Sequence, residues 1–262
     1  MTAFTSLADR LRGGETVLTA WSGLPDPLSM EALAATAFPA VTMDMQHGGH
    51  DDGSILRCIP TVLSAGKPAI VRIPVGRFDM ASRALDFGAD AVIAPMINSV
   101  ADARAFAAAM KYPPVGGRSW GPTLAVQRRK LAGGQAYLES ANSQTLAFAM
   151  IETREAYTLA DEIIAVDGID GIFVGPSDFS IAWTGGHAIN PKLDDMTAAI
   201  ADIAAKTKAA GKLAAIYCVD PEQCGPYAAM GYRLLAIQNE GAYLAAGARA
   251  LVETAHKAMG QG

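Results

Sequence analysis

The sequence predicts a (β/α)8 barrel, and three observations carry that prediction. Eight short apolar runs alternate with Ala-rich helical stretches. Several of those runs follow a Gly placed to end the preceding helix. The 262 residues fit one barrel of roughly 250 residues without remainder, so a single domain over 1–262 is expected, and the repeated β-then-α order favours a closed barrel over a doubly wound sheet.

The first strand is expected over Thr16–Trp21, with its helix over Pro27–Ala37. The second strand, Val41–Asp44, leads to a helix over Gly53–Ala65 that stops at Gly66-Lys67-Pro68 before the third strand, Ala69–Ile73. A helix over Met80–Phe87 ends at Gly88-Ala89-Asp90, ahead of the fourth strand, Ala91–Ala94, and the helix Val100–Met110. Lys111–Gly134 reads as one long irregular stretch, and loops of that length in a compact fold are more often functional than idle. The fifth strand, Leu146–Ile151, precedes a helix over Glu155–Ile164, and the sixth is Gly171–Val174. A helix over Asp194–Ala210 stops at Gly211-Lys212 before the seventh strand, Leu213–Tyr217, and a helix over Pro221–Met230 stops at Gly231-Tyr232 before the eighth, Arg233–Ile237.

Composition narrows the function. At 51% apolar and 18% charged the chain can bury a large core. Its 26 acidic against 21 basic residues, with Arg128-Arg129-Lys130 the only basic run, argue against nucleic acid as a partner. Cys58, Cys218 and Cys224 match neither a disulfide framework nor a CxxC motif, which points to a reducing compartment. The first residues, with Asp9, Arg10 and Arg12, lack the apolar core of a signal peptide, and no apolar run approaches the ~18 residues of a membrane span. A soluble cytoplasmic protein is expected.

In such a barrel, chemistry lies at the carboxyl ends of the strands. Those ends offer Trp21, Asp44-Met45-Gln46-His47-Gly48-Gly49-His50, Arg72, Pro95-Met96, Glu152-Thr153-Arg154, Gly175-Pro176-Ser177-Asp178, Tyr217 and Gln238-Asn239-Glu240. Glu152 and Asp178 leave neighbouring strands, so their carboxylates can converge on a divalent cation with water completing an oxygen shell, or each can cap the helix that follows. Arg72 closes an apolar strand and needs an anionic partner, either a ligand or Asp44. His47 is a candidate general base with Asp44 near enough to orient it. His47 and His50 read as H-x-x-H, a weak metal signal outside a helix, and His50 beside Asp51-Asp52 looks like the polar start of a helix. Gly175, Ser177 and Asp178 open a helix whose free amides suit a carboxylate or phosphate.

None of the eight lysines falls at a strand's carboxyl end, which disfavours a Schiff-base mechanism. No GxGxxG follows a strand and no P-loop pattern occurs, so nucleotide chemistry lacks support.

These residues resemble the class II pyruvate-dependent aldolases of the HpcH/HpaI family nearly end to end. The markers are Asp44-x-x-His47-Gly48, Val71-Arg72-Ile73-Pro74, Ala94-Pro95-Met96, Tyr112-Pro113-Pro114 leading to Gly117-Arg118, Ile151-Glu152-Thr153-Arg154, and Gly171 through Asp178. The resemblance implies a metal-dependent lyase that cleaves 4-hydroxy-2-oxo acids to pyruvate or hydroxypyruvate plus an aldehyde. It implies Glu152 and Asp178 as ligands of Mg²⁺, Mn²⁺ or Co²⁺, Arg72 as stabiliser of the enolate oxygen, and His47 supported by Asp44 as proton carrier. Arg72, Gly175, Ser177, Asp178 and Trp21 are the expected substrate contacts, and the aldehyde pocket is expected largely from Lys111–Gly134 and from segments lent by a neighbouring subunit. It further implies an exchanged eighth helix, Tyr243–Ala258, and a hexamer built from dimers. Many members carry Glu where this chain has Gln46, placing a neutral amide beside the expected base. A citryl- or malyl-CoA-type lyase shares the scaffold but would want a basic surface for the CoA tail, and a non-catalytic metal-binding barrel is the reading from another class.

Overall fold

The computed structural model describes residues 6–260. Its strands are β1 (Val17–Ser22), β2 (Ala40–Asp44), β3 (Ala69–Arg72), β4 (Ala91–Ala94), β5 (Leu146–Ile151), β6 (Gly171–Val174), β7 (Leu213–Cys218) and β8 (Leu234–Ile237). Each pairs in parallel with its sequence neighbours, and β8 pairs with β1 to close the barrel. Period two explains the two layers of core. On β5, Leu146, Phe148 and Met150 join the cluster inside the barrel, whereas Ala147, Ala149 and Ile151 join the cluster under the helices.

The helices are α1 (Leu7–Arg12), α2 (Pro27–Ala34), α3 (Asp52–Ser64), α4 (Phe78–Phe87), α5 (Val100–Met110), α6 (Thr123–Arg128), α7 (Gly134–Gln144), α8 (Arg154–Thr158), α9 (Ala160–Ile164), α10 (Pro176–Trp183), α11 (Asp194–Ala209), α12 (Cys224–Met230) and α13 (Glu240–Ala258). Gly88 and Gly231, with φ of 106° and 112°, end α4 and α12 in the left-handed region, as the helix-stop reading requires.

The structure adds to or departs from the sequence expectation at four places. α1 was not expected; it places Leu7, Ala8 and Leu11 in the barrel's inner cluster, where a long-range contact decides a helix too short to form alone. The expected helix over 155–164 is broken at Leu159 into α8 and α9. Lys111–Gly134 is not irregular throughout, because α6 lies within it, and α7 follows directly; Tyr112, Ala125, Tyr137 and Ala141 form a small core of their own there. α13 has no buried residue, and Leu244, Leu251 and Val252 are exposed along it.

The amino-terminal face is tied by one buried cation. Lys111 donates from Nζ to Thr145 O at 2.7 Å, Asn142 O at 2.8 Å and Asp170 Oδ2 at 2.6 Å, joining the segments that enter β5 and β6. Burial lowers the lysine's pKa, and the Asp170 carboxylate opposes that shift. All three ammonium hydrogens are used, which is what makes the burial tolerable. Lys111→Met keeps the volume and leaves Asp170 with only the Ala147 amide and Arg12; a stability loss of about 2–4 kcal/mol is expected from urea denaturation. A loss below about 1 kcal/mol would show that the pair is dispensable.

Candidate active site

Parallel register builds the first part of the site. Asp44 and Arg72 are Cα partners at the ends of β2 and β3, so their side chains share a face of the barrel mouth. Arg72 Nε donates to Asp44 Oδ1 at 2.8 Å and Nη2 to Oδ2 at 2.6 Å, a two-bond pairing buried at both partners. Trp21, at the end of β1, donates from Nε1 to Asp44 Oδ2 at 3.2 Å and lies under the guanidinium, whose carbon is 4.8 Å from the ring centroid. Oδ1 also accepts from the backbone amides of Gln46 at 3.0 Å and His47 at 3.3 Å. Burial pushes the Asp44 carboxyl up, but the Arg72 pairing and the amide bonds outweigh it and hold the pKa below the ordinary value.

This corrects one expectation about the base. The Asp44 carboxylate is engaged by Arg72, Trp21 and two amides; it orients the His47 backbone, while the imidazole stands exposed at the rim of the cavity. Gly48 keeps this turn tight, since a Cβ there would lie 2.4 Å from the Asp44 carbonyl oxygen and 2.8 Å from Gly23 Cα. The side-chain oxygen of Gln46 is buried without a hydrogen-bond partner. His50 is a structural residue: its ring nitrogens meet Ser22 Oγ at 3.0 Å and Ser54 Oγ at 3.1 Å, binding the end of β1 to the start of α3.

Glu152 is the second buried carboxylate and its environment is the reverse. Oε1 accepts from the Met96 amide at 2.8 Å, and Oε2 is buried with no partner. Burial is the main cause that raises its pKa from 4.5 to about 7; the Met96 amide and Arg72 lower it, and nearby Asp178 raises it further. Asp178 stands half-buried in the first turn of α10, whose N-cap is Gly175. A Cβ on Gly175 would lie 2.5 Å from Glu152 Oε2, so glycine is what lets the carboxylate and the start of α10 approach each other. Among the described residues no group of three or more His, Cys, Asp or Glu is placed to hold a metal.

All the expected site residues, Trp21, Asp44, His47, Arg72, Glu152, Gly175, Ser177 and Asp178, line one cavity of about 1020 Å³. Lys111–Gly134, expected to shape the aldehyde pocket, contributes nothing to this lining, because it is folded onto α4 and α7 on the flank. The cavity is completed instead by Met150, Phe173 and Tyr217 from the strands, by α2, and by Asn239, Glu240 and Tyr243 at the start of α13. Met150 and Phe173 were legible in principle, standing two positions before Glu152 and Gly175 on the same strand faces. Asn239 and Glu240 stand among the residues offered by the end of the eighth strand, whereas Tyr243 carries no comparable signal.

The HpcH/HpaI aldolase/citrate lyase family matches residues 18–246. The chain belongs to that family. A hydroxypyruvate/pyruvate aldolase of Rhizorhabdus wittichii is 36% identical over 244 residues, covering 92% of this chain and 95% of that one. A 4-hydroxy-2-oxo-heptane-1,7-dioate aldolase of Salmonella dublin is 32% identical over 243 residues, covering 93% and 91%. The crystal structure of a family protein from Burkholderia cenocepacia J2315 superposes with a TM-score of 0.83 at 26% identity, over 95% of this chain and 98% of that one. The protein is an enzyme of the aldehyde-lyase class, a class II aldolase, and this family generally uses a divalent metal. No described helix is long and apolar enough to cross a membrane.

The Glu152 environment sets a pH dependence. In metal-free protein a folded pKa near 7 against 4.5 means that the folded state holds a proton over that interval which the unfolded chain has lost, so stability falls as pH rises from 4.5 to about 7. The effect is on the order of a few kcal/mol. The melting temperature of metal-free wild type relative to Glu152→Gln should therefore fall across this interval; a pH-independent difference would refute the raised pKa.

Proposed function

We propose that this enzyme reversibly cleaves 4-hydroxy-2-oxo acids to pyruvate or hydroxypyruvate and an aldehyde, with a divalent cation held by Glu152 and Asp178. The observation that carries this reading is the unpartnered, buried Glu152 Oε2 facing the start of α10 beside an arginine already fixed by Asp44. A buried carboxylate oxygen without a donor is costly, and a hard cation with oxygen ligands satisfies it. The two carboxylates fit Mg²⁺, Mn²⁺ or Co²⁺ with water and substrate completing the shell. When bound, such a cation supplies Lewis-acid polarisation of the 2-oxo acid.

The side chains divide the remaining work. The amides of Ser177 and Asp178, in the first turn of α10, have no intrahelical acceptor and suit the substrate carboxylate. Asp44 uses Nε and one Nη2 hydrogen of Arg72, leaving the other N–H groups for the C2 oxygen, on which negative charge develops as the C3–C4 bond breaks. His47 accepts the C4 hydroxyl proton as that carbon becomes the aldehyde carbonyl. The electron pair of the broken bond enters the C2–C3 enolate, which takes a proton at C3 to give the free 2-oxo acid. No lysine lines the cavity among the described residues, which supports a route without an imine.

Four substitutions separate these roles. Glu152→Ala or Asp178→Ala should abolish Mn²⁺ binding and aldol cleavage in a folded protein. Arg72→Ala should suppress cleavage and pyruvate C3 proton exchange alike, on the order of 100-fold or more, whereas His47→Ala should harm cleavage more than exchange. Near-normal cleavage by either carboxylate variant in chelator-treated buffer refutes the metal site, and equal losses for His47→Ala remove it from the C4 hydroxyl.

The lining charge bears on the aldehyde. Asp44, Glu152, Asp178 and Glu240 face the cavity, and Arg72 is its one Lys or Arg among the described residues, already paired. With Asp44 held by Arg72, and Glu152 and Asp178 by the cation, a second carboxylate on the substrate would face Glu240 and find no free Lys or Arg in this lining, which disfavours an aldehyde arm such as that of a 1,7-dioate. Butanal should exceed succinic semialdehyde as acceptor for pyruvate by roughly tenfold or more in kcat/KM; parity would overturn this.

The unburied α13, with Leu244, Leu251 and Val252 exposed, supports exchange of this helix with a second copy and a hexameric assembly of such dimers.

A further inference from the structure

The first turn of α13 reaches back into the barrel mouth at a structurally exposed seam. β1 and β8 pair up to Ala20 and Ile237, where the ladder ends. One residue beyond, the Tyr243 hydroxyl is inserted between the strands: it accepts from the Trp21 amide at 3.1 Å and donates to the Ile237 carbonyl. A side-chain hydroxyl thereby prolongs the β1–β8 ladder, satisfying a donor and an acceptor that the diverging strands leave open. Three positions earlier in the same turn, the Glu240 carboxylate accepts from the Gly23 amide at 2.9 Å and the Leu24 amide at 3.4 Å.

Both attachments lead directly to the chemistry. Trp21 carries the indole that bonds Asp44 and lies under Arg72. Gly23 accepts from the Gly49 amide at 2.8 Å and is packed against Gly48, so its position sets the turn that bears His47. The rest of α13 has no buried residue, so these bonds, together with the Tyr243 ring packed against Phe38 at 5.2 Å between centroids, tie it to its own barrel.

We propose that Tyr243 and Glu240 are positioning residues of the active site. Tyr243 holds the Trp21 end of β1, and with it the Asp44–Arg72 pair, while Glu240 holds the Gly23 turn, and with it the His47 turn. This rests on the aldolase reading above, which supplies the reactions that report on the two groups.

The two arms differ in what they disturb, and the test uses that difference on the full-length, Mn²⁺-loaded enzyme. Tyr243→Phe should lower both pyruvate C3 proton exchange and aldol cleavage, by on the order of 10- to 100-fold in kcat, because Arg72 serves both. Glu240→Gln should lower cleavage more than exchange, because His47 serves only cleavage. In a double-mutant cycle, Tyr243→Phe added to Trp21→Phe should cost little beyond Trp21→Phe alone, since the group being positioned is gone. Tyr243→Phe should also shift the fluorescence of Trp21, taken as the difference between spectra with and without Trp21→Phe in metal-free protein. Additive losses in the cycle with an unmoved Trp21 spectrum, or full activity in both variants, would overturn the proposal. A wild-type enzyme that cleaves no 4-hydroxy-2-oxo acid would instead refute the aldolase reading, and the Trp21 spectrum would still report on the Tyr243 contact. Should Tyr243→Phe fold poorly, the Glu240→Gln split between exchange and cleavage decides, and equal losses there count against it.

Discussion

The Asp44 carboxylate is the interaction on which the mouth of this barrel depends. It gathers the ends of three strands and the following turn: Trp21 from β1, Arg72 from β3, and the amides of Gln46 and His47. Two opposite charges buried this deeply are stable only when their geometry is good and the remaining lone pairs are met. Here the two-bond pairing meets the guanidinium, and three further N–H donors meet the carboxylate. Loss of either partner leaves an uncompensated charge in the barrel mouth, so the arginine is rigid before any substrate arrives. Preorganised charge of that kind costs no rearrangement when negative charge develops on a bound oxo acid.

Glu152 makes the contrast that gives the site its chemistry. It is as deeply buried as Asp44, yet one oxygen has a single amide and the other has nothing. The same physics therefore drives the two pKa values in opposite directions, down for Asp44 and up to about 7 for Glu152. One carboxylate is a finished structural element. The other keeps an oxygen without a donor, and Gly175 lets the start of α10, which carries Asp178, lie close to it.

The barrel separates these demands by face. At the amino-terminal end, Lys111, Asp170 and the short α1 close the structure with satisfied bonds and apolar packing. At the carboxyl end the strands diverge, backbone groups lose ladder partners, and side chains such as Tyr243 and Glu240 replace them. α13 thus belongs to the site through its first turn, and its remaining turns present apolar residues outward.

Periodicity and turn chemistry determined much of this protein from sequence alone. The eight strands, the helix-ending glycines at Gly88 and Gly231, and the polar residues at strand ends follow from local rules, because strand period and backbone sterics act over a few residues. Asp44, His47, Arg72, Glu152, Gly175, Ser177 and Asp178 could be named for that reason, and the family resemblance joined them in one reading. Which of Asp44's possible partners it takes, that Glu152 keeps a bare oxygen, and that α2 and the start of α13 rather than Lys111–Gly134 wall the cavity are decided only in three dimensions. Those outcomes depend on the register between strands and on contacts across the closed barrel, such as Trp21 with Tyr243, 222 residues apart. Local sequence sets which groups reach the mouth, and closure of the barrel sets which of them meet.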